Sequence, residues 1–212
     1  MWKKGIVVNM ISLYDNFKDV LEMTWPMLFI SLVLLVSVRI SYLIKHNVKF
    51  VFYKEVMLLL FILYILCLFQ VVTVQDINTS GGNNFVPFME IFRYKPWGRL
   101  FIKNIVGNVI MFMPYGFFIG EYATGKNFLF SLFLLVLASF SIECTQLAIG
   151  RVFDVDDIIL NVFGGILGYI VYLFTRKIYD ILPKPLKQPM FLNIVTFVFL
   201  CLVIVFIIFL IV

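Results

Sequence analysis

Six apolar runs set the fold class of this chain, because a helix needs about 20 largely apolar residues to cross the hydrocarbon core of a bilayer. Hydrophobic residues make up 63% of the chain and charged residues only 14%, which is too little charge to cover a soluble domain. The sequence therefore predicts an all-α, polytopic membrane helix bundle of about six transmembrane helices. The runs cover residues 26–44, 56–74, 101–122, 128–148, 157–175 and 191–212.

The residues before the first run mix apolar side chains with charges such as Asp15 and Lys18. This mixture is typical of an amphipathic helix that lies in the membrane interface. The loops are too short to fold separately, so we expect one domain. The predicted organisation is an N-terminal amphipathic segment at 1–25, a membrane domain at 26–190 and a C-terminal transmembrane helix at 191–212.

Basic residues indicate how the helices are oriented. In an alternating path of six spans, three short loops rich in Lys and Arg share one side, and the positive-inside rule makes that side the cytoplasm. Both termini are then outside. The net charge of +5 is explained by contact with anionic membrane lipids, and no nucleic-acid partner is expected. The basic residues of these loops are Lys45, Lys49, Lys54, Lys126, Arg176, Lys177, Lys184 and Lys187.

Polar residues recur at helical spacing near the predicted outer ends of the third, fourth and fifth spans. Spacings of three and four place each set on one face of its helix, and polar faces avoid lipid. The three faces should therefore converge in an outward-facing polar pocket. Small residues four apart in the third and fifth spans also predict close helix packing. The polar sets are Asn104 and Asn108; Ser139, Glu143 and Gln146; and Asp157 and Asn161.

Carboxylates are the candidate chemical groups of this pocket. Glu143, Asp157 and Asp154 are the catalytic candidates if the protein is an enzyme, since a desolvated carboxyl group serves as a general acid or base. Together with Asp156 they also offer the oxygens that Mg²⁺ or Ca²⁺ prefers, so a divalent cation is an open option, although no metal-ligand set is assigned. The plainer interpretation is that Asp157 caps the fifth span and that Asp154 and Asp156 are solvated.

The candidate ligand-binding residues are two cations and four amides. Arg151 either grips an anion or bridges structurally to Glu143 or Asp154, and Arg99 belongs to a segment, 77–100, expected to roof the pocket. The amides either bind hydroxyl and amide groups of a ligand or form ordinary interhelical hydrogen bonds. They are Gln146, Asn104, Asn108 and Asn161.

Four motifs follow one another along the chain. They are Asn84-x-x-Pro87-Phe88; Asn104-x-x-Gly107-Asn108 with Phe112 and Pro114; Glu143-x-x-Gln146; and Arg151 with Asp154, Asp157, Asn161, Gly164 and Gly168. In this order they resemble the VanZ-like family of bacterial membrane proteins, over roughly residues 56–175. The resemblance implies a multi-pass protein of the bacterial plasma membrane with a role in the cell envelope. It also implies low-level resistance to the lipoglycopeptide antibiotic teicoplanin, without supplying a mechanism.

Three functions are consistent with these features. The first is a binder that confers glycopeptide or lipoglycopeptide tolerance by engaging an amphiphilic or lipid-linked envelope ligand in the polar pocket. The second is an intramembrane hydrolase or transferase acting on a lipid-linked envelope substrate. The third, a small transporter, fits less well, because the polar residues gather at one end of the spans. A serine triad is not expected, because Ser139 and Ser141 have no histidine or lysine at their depth.

Overall fold

The structure is a computed structural model, and the description below covers residues 2–74, 82–94, 98, 100–124 and 127–211. Arg99 lies outside these residues, so its predicted place in the pocket is not described. The elements are helices α1 (Trp2–Lys45), α2 (Phe52–Val74), α3 (Met89–Arg93), α4 (Gly107–Ile119), α5 (Phe128–Ala148), α6 (Val155–Ile181) and α7 (Pro189–Ile211). Two π-helical turns, Phe101–Val106 and Gly120–Thr124, extend α4 at its ends, and a 3-10 turn, Lys184–Lys187, precedes α7.

The predicted all-helical fold is confirmed for the described residues. Five helices are long and apolar enough to cross a membrane: Thr24–Lys45, Phe52–Thr73, Phe101–Ala123, Phe128–Ala148 and Val155–Ile181. The sixth predicted span, 191–212, falls on α7.

Two helices differ from the expected limits. The helix α1 runs without a break through Pro26, where the sequence suggested the start of a separate span. The helix α6 continues to Ile181, although its apolar run ends near residue 175. Charged side chains such as Arg176 end an apolar run without interrupting the backbone hydrogen bonds of a helix, so hydropathy alone places this end too early.

The chain forms two compact units. Unit 1 comprises Met1–Pro26 and Leu66–Phe174, and unit 2 comprises Met27–Ile65 and Thr175–Val212. The three-part division expected from the sequence stays a prediction.

The core of unit 1 is built around α4, α5 and α6. Phe112 and Ile119 of α4 and Leu135 of α5 form a cluster of buried apolar side chains there. The backbones of α4 and α6 meet almost directly, because a Cβ atom added to Gly168 would lie 1.8 Å from the carbonyl oxygen of Met113. This close packing fixes the polar faces of α4 and α6 next to each other.

Candidate functional site

The residues before α6 pair with an extended part of the segment 82–94, which we call the strap. The backbone N–H of Asn84 donates to the Phe153 carbonyl at 2.9 Å, and the Asn84 carbonyl accepts from the N–H of Val155 at 3.1 Å. The side-chain oxygen of Asn83 also accepts from the Phe153 N–H at 3.0 Å. The strap is therefore attached to the start of α6 through both its backbone and its side chains.

The side chain of Asp156 forms hydrogen bonds with the second half of the strap, at residues 88–91. Its carboxylate accepts backbone N–H groups from Phe88, from Glu90 at 2.7 Å and from Ile91 at 3.2 Å. The expectation that Asp156 is solvated was wrong, because its side chain is only 1% exposed. It satisfies the N–H groups at the start of α3, which have no partner inside that helix. Phe88 has a left-handed backbone, with φ of 68°, which is unusual for a bulky residue.

Asp154 connects the strap to α5. Its Oδ1 atom accepts from the side-chain amide of Asn84 and from the backbone N–H of Asp156, both at 2.8 Å. Its own backbone N–H donates to Glu143 Oε2 at 3.0 Å. Burial raises the pKa of the Asp154 carboxyl, and these two donors oppose that rise. These hydrogen bonds indicate that Asp154 positions the strap relative to Glu143 of α5.

Glu143 begins a chain of hydrogen bonds that ends at α2. With the Gln146 amide oriented to suit its neighbours, its nitrogen donates to Glu143 Oε1 at 3.0 Å and its oxygen accepts from Arg151 Nη1 at 2.9 Å. Such amide orientations are assigned from the hydrogen-bond network. The same Arg151 nitrogen donates to the Val72 carbonyl at 2.9 Å. Arg151 thus joins α5 to the end of α2, and Glu143 is 1% exposed.

The polar residues of α6 contact both neighbouring helices. Asn108 of α4 donates to Asp157 Oδ1 at 2.6 Å, and Asn161 donates to the hydroxyl of Ser139 on α5 at 3.1 Å. Asn161 is 2% exposed, and its Oδ1 atom has no hydrogen-bond partner. A buried acceptor without a partner is unfavourable by roughly 1–3 kcal/mol, so this oxygen favours a donor that enters from the adjoining cavity.

A cavity of about 30 Å³ lies between α2, α4, α5 and α6. Six of the predicted site residues line it, so the polar faces converge as the helical spacing predicts. Two carboxylates and one cation give this lining a negative balance when all three are ionised, which favours donors and cations over anions. The polar lining residues are Asn108, Glu143, Gln146, Arg151, Asp157 and Asn161.

A second cavity, of about 50 Å³, lies under the strap. Asn104 lines it and donates to the hydroxyl of Tyr94 at 2.9 Å. Asp157 lines both cavities, so the two spaces adjoin at this residue. The polar residues around the second cavity are Glu90, Tyr94, Asn104, Asp154, Asp156 and Asp157.

The carboxylates do not gather as metal ligands. Among the described residues, no group of three or more His, Cys, Asp or Glu side chains is arranged to hold a metal ion. Asp154 Oδ1 and both carboxylate oxygens of Asp156 accept hydrogen bonds from N–H groups. The structure therefore adds no support to the divalent-cation option.

Sequence reasoning missed the strap contacts of Asp156 and the part played by Tyr94. An aspartate in the first turn of a helix is a weak signal, because it equally suits a solvated position. Asn84 and Phe88 belong to a motif that the sequence singled out, but their partners, Asp154 and Asp156, are about 70 residues away along the chain. Only the fold shows which backbone groups meet.

Comparison with known proteins gives the family of this chain. Neither the curated proteins nor the solved structures contain a match to it. A family model described as VanZ/LLP1 matches residues 55–182. This stretch begins in the first turn of α2 and extends past the end of α6, so it contains every site residue described above. The chain is a membrane protein that belongs to the VanZ/LLP1 family.

Proposed function

We propose that this protein is a multi-pass protein of the bacterial plasma membrane that confers tolerance to glycopeptide or lipoglycopeptide antibiotics of the teicoplanin type. It does so by binding an amphiphilic or lipid-linked ligand at the two adjoining cavities, with the site end of α4, α5 and α6 facing the cell exterior. The family supports the cell-envelope role, and the site supports the mode of binding.

The observation that carries the proposal is the unpaired oxygen of Asn161 beside the carboxylates of Glu143 and Asp157. All three side chains line one cavity, and a hydrogen-bond donor placed there would satisfy the Asn161 oxygen. Ammonium, hydroxyl and amide N–H groups have this chemistry. Peptide-like antibiotics and lipid-linked envelope precursors are rich in such groups.

The size of the cavity limits what enters it. A space of about 30 Å³ accommodates a small group, since one water needs roughly 10–15 Å³ by the same kind of measure, whereas a drug-sized molecule needs about 300–1,000 Å³. One donor group of the ligand therefore enters between the helices. The rest of the ligand stays outside, along the strap and the membrane surface.

Removing the charge at the cavity tests this proposal. We expect Glu143→Gln and Asp157→Asn each to weaken binding of a labelled teicoplanin-type antibiotic to the purified protein at least tenfold, or about 1.4 kcal/mol. The minimal inhibitory concentration of a susceptible host expressing either variant should fall to that of the empty vector. Both substitutions keep the size of the side chain, and the melting temperature of each purified variant shows whether it is folded.

Glu121→Gln is the matched control, because Glu121 is an exposed carboxylate at the other end of α4. It should leave binding and tolerance unchanged. Full protection by folded Glu143→Gln and Asp157→Asn proteins would refute the proposal, and so would equal losses in all three variants.

The alternative function is an intramembrane hydrolase or transferase acting on a lipid-linked envelope substrate. It is favoured by two carboxylates, Glu143 and Asp157, on one small water-sized cavity, an arrangement suited to one general acid and one general base. Incubation of the purified protein with envelope lipid extracts should then yield a product that Glu143→Gln does not form. Absence of turnover over a broad lipid panel, together with retained antibiotic binding, would exclude the enzyme and leave the binder.

A further inference from the structure

A second, apolar cleft lies in unit 2, and no part of the proposed function uses it. Its volume is about 530 Å³, and the residues around it come from α1, α2 and the turn between them. Twelve of its fourteen lining residues are hydrophobic, the exceptions being Arg39 and Glu55. A space of this size exceeds what side chains leave inside a packed core and suits a flexible hydrocarbon chain.

The two charged residues of the cleft form an ion pair that leaves some guanidinium N–H groups of Arg39 outside the pair. Arg39 Nε donates to Glu55 Oε2 at 2.7 Å, and Arg39 Nη2 donates to Glu55 Oε1 at 3.1 Å. The guanidinium also lies 5.3 Å from the centre of the Tyr42 ring. The ion pair uses only part of the donor capacity of a guanidinium, and the Arg39 side chain is 38% exposed. It is accessible to a phosphate oxygen.

Positive charge is concentrated in unit 2. This unit contains eight Lys and Arg residues against two acids, Glu55 and Asp180. Lys45, Lys49 and Lys54 are exposed around the α1–α2 turn, each within two residues along the chain of a residue that lines the cleft, namely Leu43, Phe50 or Phe52. The backbone N–H of Tyr53 donates to the Asn193 side chain at 3.0 Å, so the start of α7, which follows two further lysines, lies at the same end.

From these observations we infer that unit 2 binds an anionic phospholipid, with one acyl chain in the cleft between α1 and α2 and the phosphate at Arg39, Lys45 and Lys49. The apolar walls match the chain, and the basic rim matches a phosphodiester. A zwitterionic lipid carries the same phosphate, but its own ammonium group neutralises that charge and is repelled by the basic rim, so a lipid with net negative charge is favoured. The exposed lysines of the α1–α2 turn also agree with the positive-inside rule, which places this turn inside the cell.

The experiment compares lipids on delipidated, detergent-purified protein by native mass spectrometry. We expect the wild-type protein to retain one phosphatidylglycerol at least tenfold more tightly than phosphatidylcholine. Lys45→Gln/Lys49→Gln should remove this preference while leaving phosphatidylcholine binding unchanged. Leu59→Trp, which fills the cleft, should weaken retention of both lipids. Glycerol 3-phosphate, a headgroup without chains, should not displace the bound lipid.

Lys103→Gln is the control, because Lys103 is an exposed lysine of unit 1 and should not affect lipid retention. Equal binding of the two lipids by the wild-type protein would overturn the inference. Phosphatidylglycerol retention by Lys45→Gln/Lys49→Gln at the wild-type level would also overturn it, as would displacement by glycerol 3-phosphate. The two lysines are exposed, so that variant folds and gives a clear answer. Antibiotic tolerance is not measured in this test. A negative result would therefore overturn the lipid site without bearing on the proposed function.

Discussion

Gly168→Ala should destabilise the protein by about 3 kcal/mol, at the upper end of the usual range for overpacking. The added Cβ would lie 1.8 Å from the Met113 carbonyl oxygen, and a backbone atom has no rotamer by which to move away. The helices α4 and α6 must then separate by on the order of 1 Å, which removes dispersion contacts along the whole interface. The expected measurement is a fall of about 10 °C in the melting temperature in detergent.

The same substitution should also damage the site. The hydrogen bond from Asn108 to Asp157 joins α4 to α6 at 2.6 Å, so a separation of the two helices breaks it. Gly164→Ala should behave alike, because its Cβ would lie 2.1 Å from the Val109 carbonyl oxygen. We therefore expect both variants to lose stability and antibiotic tolerance together.

Alanine substitutions at two further glycines test how the loss of stability depends on the atom nearest to the added Cβ. A Cβ at Gly165 would meet the Leu135 side chain at 2.3 Å, and because that side chain is fully buried it can shift only partly, so we expect an intermediate loss. Gly107→Ala is the control, since its nearest neighbour, the Ile102 carbonyl oxygen, is 3.7 Å away and alanine favours helix by about 1 kcal/mol. Equal melting temperatures for Gly168→Ala and Gly107→Ala would contradict the proposed backbone contact.

The sequence predicted the parts of this fold that depend on periodicity. Runs of apolar residues located the membrane helices, since crossing a bilayer requires a fixed length of helix. Polar residues three and four apart, such as Asn104 and Asn108, predicted the inward faces, since lipid excludes them. The helix ends were less accurate, because residues beyond Thr175 continue α6 after the apolar run has stopped.

What the sequence could not supply is the pairing between segments far apart in the chain. Asp156 accepts hydrogen bonds from the backbone N–H groups of Glu90 and Ile91. Because every residue except proline has the same backbone N–H group, the residue types do not indicate which of these groups it contacts. The strap was expected to roof the pocket, but nothing in its composition indicates that an aspartate of α6 holds it. The small size of the cavities is equally invisible, because it depends on how closely glycines bring α4 and α6 together.

Asp156→Asn should release the strap while the helices of unit 1 remain folded. The carboxylate accepts three backbone N–H groups, from Phe88, Glu90 and Ile91, whereas an amide offers one oxygen and turns an N–H group toward the others. Hydrogen bonds to a charged group contribute about 1.5–3 kcal/mol each. Loss of one or more should raise the exchange rate of these three amide hydrogens by a factor of about 30, which corresponds to roughly 2 kcal/mol.

The backbone of Phe88 adds to this effect. A left-handed conformation is unfavourable for a bulky residue by about 1–2 kcal/mol, and the hydrogen bond to Asp156 holds the residue there. Once that bond is weakened, relaxation of Phe88 moves the rest of α3, including the Glu90 and Tyr94 side chains that line the second cavity. Hydrogen exchange followed by mass spectrometry should therefore show faster exchange throughout 88–93 and unchanged protection in α5.

Asp180→Asn serves as the reference for this variant, because Asp180 is an exposed aspartate of α6 in unit 2 and should leave exchange in the strap unaltered. Slow exchange at Phe88, Glu90 and Ile91 in the Asp156→Asn protein would mean that other contacts hold α3. Fast exchange in the strap together with full antibiotic tolerance would separate the second cavity from function and confine ligand binding to the cavity beside Asn161. Loss of both the slow exchange in the strap and the antibiotic tolerance would make the strap part of the binding site, with Asp156 as the residue that positions it.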